Sequence, residues 1–196
     1  MSELSRDDAW ALVTEYIQSE SLRRHCLSVE TAMRAYAVKY GESPEDWGAI
    51  GLIHDFDYEI HPTLDQHPQD GVPILQERGY PDWAIEAVLS HADHLDVPRD
   101  TNLKITLYAV DELTGFITAV AFVRPSKSVA EVTPQAVRKK MKDKAFARAV
   151  DREAMLHGAE LMGVDFDEHV AFVIQAMTDN ADALGLAGVP VSANAG

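Results

Sequence analysis

The sequence predicts an all-α fold, because helical periodicity dominates the chain and strand-like alternation is scarce. The clearest repeat covers residues 22–40, where apolar side chains recur every three or four positions and Gly41 follows the last of them. With 196 residues, 46% of them hydrophobic, the chain is long enough to bury one sizeable core. We therefore expect a single helical domain over residues 1–185 and a flexible Gly/Pro-rich tail over residues 186–196.

The individual helices have recognisable starts and ends. Ser43-Pro44 and Thr133-Pro134 each combine an N-cap residue with a proline at the first helical position. The polar residues 56–67 predict a loop. The predicted helices cover residues 6–18, 22–40, 44–54, 68–76, 81–91 and 103–123, followed by a basic helical stretch from Thr133 and two further helices near 146–162 and 166–185.

The charge and the cysteine content exclude several classes of function. The formal net charge is -15, from 32 acidic and 17 basic residues, which opposes binding to a nucleic-acid backbone. No stretch approaches the ~20 apolar residues of a membrane span, and the acidic N-terminal segment lacks an apolar signal region. Cys26 is the single cysteine, which fits a reducing compartment. We therefore expect a cytoplasmic protein, a monomer or homodimer, without nucleic-acid or membrane partners.

Histidines and aspartates stand at positions that packing alone does not favour. His54-Asp55 ends the apolar and small run AIGLIHDF, and Asp111 lies within the apolar helix LYAVDELTGFI. Burying a carboxylate at either place costs several kcal/mol unless a cation neutralises it. His25 lies beside the apolar stripe of its helix and so faces the edge of the core. A metal ion bound by neutral imidazoles and carboxylates would stabilise all of them.

A histidine, then a His-Asp doublet, then a distant aspartate resembles the signature of the HD-domain superfamily. The segments GLIHD, HPQDG and LSHAD resemble its metal-binding segments, so the resemblance covers roughly residues 20–125. The runs LYAVDELTGFITA and RKKMKDKAFARAVDRE extend it to about residue 160 and resemble a small prokaryotic family of HD-type hydrolases without a firm substrate.

The resemblance implies a fold, a metal centre and an activity. The fold would be an HD-domain helical bundle, with a metal-binding core over about residues 20–125 and a basic helical extension over about 126–185. One or two divalent transition metals (Fe, Mn, Zn, Ni or Co) would be held by His25, His54, Asp55, His67, His91 and Asp111, with Asp55 as the bridge. The chain would be a metal-dependent phosphohydrolase, either a phosphomonoesterase or a phosphodiesterase. It would act on a small phosphate ester or nucleotide through a metal-bridged hydroxide.

The remaining histidines have alternative interpretations. Pro68 at the first helical position would leave His67 as an N-cap whose side chain can turn into the site, but His61 also precedes a proline and could replace it. We predict Asp55 and His61 as catalytic residues, and His61 and His94 are the candidates for the acid that protonates the leaving group. His157 and His169 are interpreted as surface residues.

Basic residues concentrate in residues 121–155, with nine bases against four acids. Lys140, Lys144, Arg148 and Arg152 are spaced four apart and would share one face of a continuous helix. Such a face could bind the outer phosphates of a substrate, or it could be an ordinary solvated surface.

Two other functions use the same residues. A di-iron oxygenase of the HD type would have a similar set of ligands, and a non-catalytic module could use the site to sense a nucleotide or a metal. The complete set of six ligands argues against the non-catalytic module, whereas ligand identity does not separate the oxygenase from the hydrolase.

Overall fold

The computed structural model describes residues 4–190, and every regular element within them is a helix. The all-α prediction is therefore confirmed. The α-helices are α1 (Arg6–Tyr16), α2 (Glu20–Tyr40), α3 (Pro44–Ile53), α4 (Val72–Glu77), α5 (Asp82–Leu89), α6 (Asn102–Phe122), α7 (Pro134–Met141), α8 (Arg152–Met162) and α9 (Phe166–Asp179). Short 3₁₀ helices lie at Gln69–Gly71, Asp93–Leu95 and Val129–Glu131.

Local cap chemistry fixes the ends of the helices around the site. The hydroxyl of Ser19 accepts a hydrogen bond from a backbone N–H in the first turn of α2, at 3.3 Å. Gly41 ends α2 with φ of 73°, a left-handed conformation that suits glycine. The Ser43 hydroxyl caps α3 in the same way, and Pro44 is its first residue.

Helix α6 is the central element of the core and packs against α2 on one side and α8 on the other. Its fully buried side chains include Leu107, Leu113, Phe116 and Ile117. Among the described residues, α6 is the helix with the length and apolar composition that a membrane span requires, so the expectation that no such stretch exists was wrong. Burial of this helix inside the domain accounts for its composition.

The described residues lack the continuous helix that a shared face of Lys140, Lys144, Arg148 and Arg152 would require. Helix α7 ends at Met141 and α8 begins at Arg152, with turns between them. The side chain of Asp143 accepts hydrogen bonds from the N–H groups of Ala145 and Phe146, which competes with helical bonding at this point. Lys140, Lys144, Arg148 and Arg152 therefore do not share one helix face.

The part of the chain that packs against the domain extends further toward the C-terminus than predicted. Helix α9 ends at Asp179 instead of residue 185, but Leu186 is fully buried and its carbonyl accepts from the Val129 N–H at 2.9 Å. The Val189 N–H donates to the Ser126 carbonyl at 2.7 Å. The start of the predicted tail is thus held against the domain, while residues 191–196 lie outside the described residues.

His169 is a core residue, and its interpretation as a surface histidine was wrong. Its side chain is buried between α2 and α6, where Nδ1 accepts from the Tyr36 hydroxyl at 2.6 Å and the Nε2–H donates to the Ala109 carbonyl at 3.0 Å. This arrangement uses a neutral imidazole, and burial lowers the pKa of His169. His157 is exposed, as expected.

Helix α8 also packs closely against Ala109 of α6. A methyl group built on Gly158 would lie 2.5 Å from the Ala109 Cα, so only glycine permits this separation of the two backbones. Helices α8 and α9 therefore both contact α6 two residues before Asp111.

Candidate metal centre

Four predicted ligands from three segments of the chain lie close together and are named here the first group: His25 of α2, His54 and Asp55 directly after α3, and Asp111 of α6. Nε2 of His25 lies 3.0 Å from Asp111 Oδ1 and 3.6 Å from Asp55 Oδ2. Nε2 of His54 lies 3.4 Å from Asp111 Oδ1 and 3.5 Å from Asp55 Oδ2. The two Nε2 atoms are 3.2 Å apart. The structure thus brings a set of nitrogen and oxygen donors to one point.

The second group consists of Asp55, His67 and His91. Oδ1 of Asp55 lies 3.2 Å from His67 Nε2 and 3.5 Å from His91 Nε2, and these two nitrogens are 3.2 Å apart. Asp55 therefore directs one carboxylate oxygen to each group. This is the arrangement expected of a carboxylate that bridges two cations.

Backbone carbonyls orient two of the histidines. His54 is the C-cap residue of α3, and its Nδ1–H donates to the Gly51 carbonyl at 2.8 Å. The Nδ1–H of His91 donates to the Val88 carbonyl at 2.5 Å. Both rings consequently present Nε2, with its lone pair, to the centre, which is the tautomer that binds a metal.

Asp57 is a functional residue that the sequence interpretation missed. Its fully buried carboxylate accepts from His67 Nδ1–H at 2.8 Å through Oδ1 and contacts His61 Nδ1 at 3.2 Å through Oδ2. It therefore fixes the ring of His67 with Nε2 toward Asp55. The four-residue spacing between Asp57 and His61 was the one sequence signal for this contact.

The alternative between His61 and His67 has a geometric answer. His67 contacts Asp55, whereas His61 contacts Asp57 behind it and is not among the residues that line the cavity over the centre. The expected N-cap geometry of His67 was wrong, because Pro68 precedes a 3₁₀ helix and α4 starts only at Val72. His94 lines the cavity and is better placed than His61 to protonate a leaving group.

The aspartates of the centre stabilise positive charge on or next to the histidines. Burial tends to lower the pKa of His54, but the carboxylates of Asp55 and Asp111 outweigh it and raise that pKa well above the ordinary value. Burial opposes the charge of each aspartate, yet the neighbouring histidines hold the pKa of both carboxyls well below the usual range. Burial likewise opposes the charge of His67, but Asp55 and Asp57 raise its pKa to about 9.

A cavity of about 560 Å³ opens over both groups. Tyr58 and Leu64 contribute an apolar rim, and Tyr108 and Glu112 of α6 contribute a polar wall. Burial, and then the charge of Asp111, raise the pKa of Glu112 to about 7. The cavity is large enough for a small organic substrate beside the metal centre.

The predicted phosphate-binding residues lie away from this cavity. None of Lys140, Lys144, Arg148 and Arg152 is among its lining residues. The Lys140 ammonium lies 4.6 Å from the centroid of the Phe146 ring. The Arg152 guanidinium donates to five backbone carbonyls, those of Met141, Asp143, Phe146, Ala147 and Val150. Arg152 thereby shapes the loop before α8 instead of reaching a substrate.

The donor atoms fit one or two divalent transition metals. His25, His54 and Asp55, and likewise Asp55, His67 and His91, offer ligand atoms within 4.8 Å of one another. Imidazole nitrogen combined with carboxylate oxygen suits iron, manganese, zinc, nickel or cobalt. Asp111 adds a fourth donor to the first group.

Comparison with known proteins agrees with this geometry. The family model described as HD domain matches residues 22–115, a segment that contains all six predicted ligands. No curated protein and no solved structure matches the chain. HD domains bind divalent metals and are typical of metal-dependent phosphohydrolases. Residues 22–115 therefore form an HD domain, which is consistent with a protein of the HD-domain superfamily.

Proposed function

We propose that the protein is a metal-dependent phosphohydrolase that acts on a small phosphate ester. The observation that carries the proposal is the position of Asp55, which offers one oxygen to His25 and His54 and the other to His67 and His91. A shared carboxylate between two histidine pairs suits two metals held close together, beside a cavity of about 560 Å³ that a substrate can enter.

The residues of the chain would have distinct tasks. His25, His54, Asp55 and Asp111 would hold one metal, and Asp55, His67 and His91 the other. When bound, such metals polarise phosphoryl oxygens and lower the pKa of a water molecule toward neutrality. The Gly51 and Val88 carbonyls and the Asp57 carboxylate keep the histidine rings in place, so that little reorganisation is needed during turnover. His94 would supply the proton to the leaving oxygen.

The proposed partners follow from the same reasoning. The substrate would be a small phosphorylated molecule, and the acidic charge of the chain argues against nucleic acid. The cytoplasmic location and a monomeric or homodimeric state remain predictions.

Metal analysis combined with a phosphate-release screen tests the proposal. We expect one or two metal ions per chain in the wild type and release of inorganic phosphate from phosphomonoesters. His54→Ala and Asp55→Ala should each abolish activity and most of the bound metal, because each removes a ligand. His157→Ala, which removes an exposed histidine, is the matched control and should retain both properties.

Other outcomes identify the alternatives. Oxygen consumption by an iron-loaded protein without phosphate release would indicate the oxygenase. Binding of a nucleotide to the metal-loaded protein without turnover would indicate a sensor. Near-stoichiometric metal in both ligand variants would show that the centre lies elsewhere.

A further inference from the structure

The wall of the cavity over the metal centre is acidic. Apart from Asp55 and Asp111, its charged lining residues are Asp93, Glu112 and Asp151. Neither lysine nor arginine lines the cavity in the part of the chain that the structure describes. A site of this kind offers no side-chain cation to a second or third phosphate of a nucleotide.

Two of these three acids have their charge offset by neighbouring groups. Asp93 Oδ1 accepts from the guanidinium of Arg99 at 2.7 Å. Asp151 caps α8, where its Oδ1 accepts from the N–H groups of Glu153 and Ala154 at 2.8 and 3.2 Å.

Glu112 is different. Its Oε2 accepts from the Asp151 backbone N–H at 3.1 Å, which fixes the carboxylate on the wall. Within residues 4–190 it forms no ion pair with lysine or arginine. Glu112 directly follows Asp111 on α6, and both side chains line the cavity over the metal centre.

The charges of the centre leave Glu112 without a counter-ion. In a centre with two divalent metals, Asp55 and Asp111 offset half of the positive charge, and the dianion of a phosphomonoester matches the rest. With only one metal the site would be still more negative. A partly buried carboxylate beside such a site stabilises a cation and repels additional anions.

We propose that the cavity selects phosphomonoesters whose alcohol part carries an ammonium group, with the Glu112 carboxylate as its counter-ion. This inference rests on the proposed phosphohydrolase function and names its class of substrate. In the reaction, the oxygen of water bonds to phosphorus while the bond from phosphorus to the ester oxygen breaks. The ester oxygen gains a proton from His94, one proton of the attacking water restores that histidine, and the products are inorganic phosphate and an amino alcohol.

Matched substrates test the inference. Phosphoethanolamine and propyl phosphate have nearly the same shape, and only the first carries an ammonium group. We expect kcat/KM to be roughly ten- to hundred-fold higher for phosphoethanolamine, the range of one charge-assisted contact. A nucleoside triphosphate should be the poorest substrate of the three.

Substitution of Glu112 tests whether this residue causes the preference for phosphoethanolamine over propyl phosphate. Glu112→Gln should lower kcat/KM for phosphoethanolamine more than kcat/KM for propyl phosphate, so that most of the preference is lost, and it should keep the metal content. Glu153→Gln makes the same charge change at an exposed position outside the cavity and should behave as the wild type. Calorimetry with aminopropylphosphonate and its isostere butylphosphonate measures the same preference without turnover.

Three results would overturn the inference, and they distinguish its failure from the failure of the proposed function. Hydrolysis of both esters at similar rates, or a preference that survives Glu112→Gln, would reject the role of Glu112 while retaining the phosphohydrolase. Failure to release phosphate from either ester or from p-nitrophenyl phosphate, with metal bound, would reject the proposed function and the inference with it.

Discussion

Replacing Asp57 by alanine should weaken the binding of the second metal and spare the first. Asp57 is fully buried, and its Oδ1 accepts the Nδ1–H of His67 at 2.8 Å. His67 belongs to the second group only, so the first group loses none of its ligands or their supports. Asparagine at the same position could still accept from His67 and donate to His61, and it should therefore rescue part of the loss.

The magnitude follows from the contact that is removed. A hydrogen bond between His67 and a buried carboxylate contributes about 1.5–3 kcal/mol, which corresponds to a roughly ten- to hundred-fold lower affinity for the second metal. A second effect has the opposite sign. Asp57 is one of the carboxylates that raise the pKa of His67 to about 9. Loss of Asp57 therefore lowers the affinity of His67 for the proton that competes with the metal at pH 7. The deficit should therefore be larger at pH 9 than at pH 7.

The assay is a titration with Zn²⁺ in chelator buffers at both pH values, with the bound metal counted per chain. Asp65→Ala removes an exposed aspartate from the same loop and is the control. Far-UV circular dichroism of each variant shows whether the helices are intact. Wild-type affinity for the second metal in Asp57→Ala would refute the reasoning. An equal loss from both groups would mean that Asp57 supports the whole fold and not the ring of His67.

Three further predictions concern residues outside the metal groups. Lys140→Ala combined with Lys144→Ala should leave metal content unchanged and alter kcat/KM by less than about two-fold for any phosphate ester, since neither lysine lines the cavity. A selective loss with nucleotides would restore the phosphate-binding interpretation. Arg152→Lys keeps the charge but not the planar fork, and it should lower stability by about 1.5–3 kcal/mol, measured by thermal unfolding against Arg148→Lys. Burial lowers the pKa of His169, so its contribution to stability is present above the unfolded pKa of about 6.5 and is lost as pH falls below it. His169→Gln should flatten this acid-side dependence in denaturant titrations, and an unchanged slope would contradict the assignment.

Most helices could be predicted because their signals are local. Ser43-Pro44 and Thr133-Pro134 mark helix starts in the sequence and in the structure alike. The break after Met141 was not predictable from spacing, since the four-residue recurrence of basic side chains continues through it. It depends on side-chain bonds of Asp143 and on the carbonyls gathered around Arg152, neither of which leaves a periodic pattern.

The order of the metal-binding residues along the chain could be read from the sequence, and the structure brings all six together. The role of Asp57 could not be predicted, because Asp57 lies in a segment without periodicity, where the sequence does not distinguish a buried aspartate from a solvated one. The burial of His169 was not predicted for another reason. It continues the apolar face formed by Phe166, Val170 and Val173, but its polar partners come from α2 and α6, which are distant in sequence.

The contacts at Ala109 change what a truncated protein would be. Gly158 and His169 both contact Ala109 of α6, and both lie beyond the segment that matches the HD-domain family. A chain ending near residue 125 would expose this side of α6 to water and leave the Tyr36 hydroxyl without its partner. The helix that carries Asp111 would then rest on one layer instead of two. The C-terminal helices are thus a structural support of the metal centre, and grafting or exchanging them would alter metal affinity as well as stability.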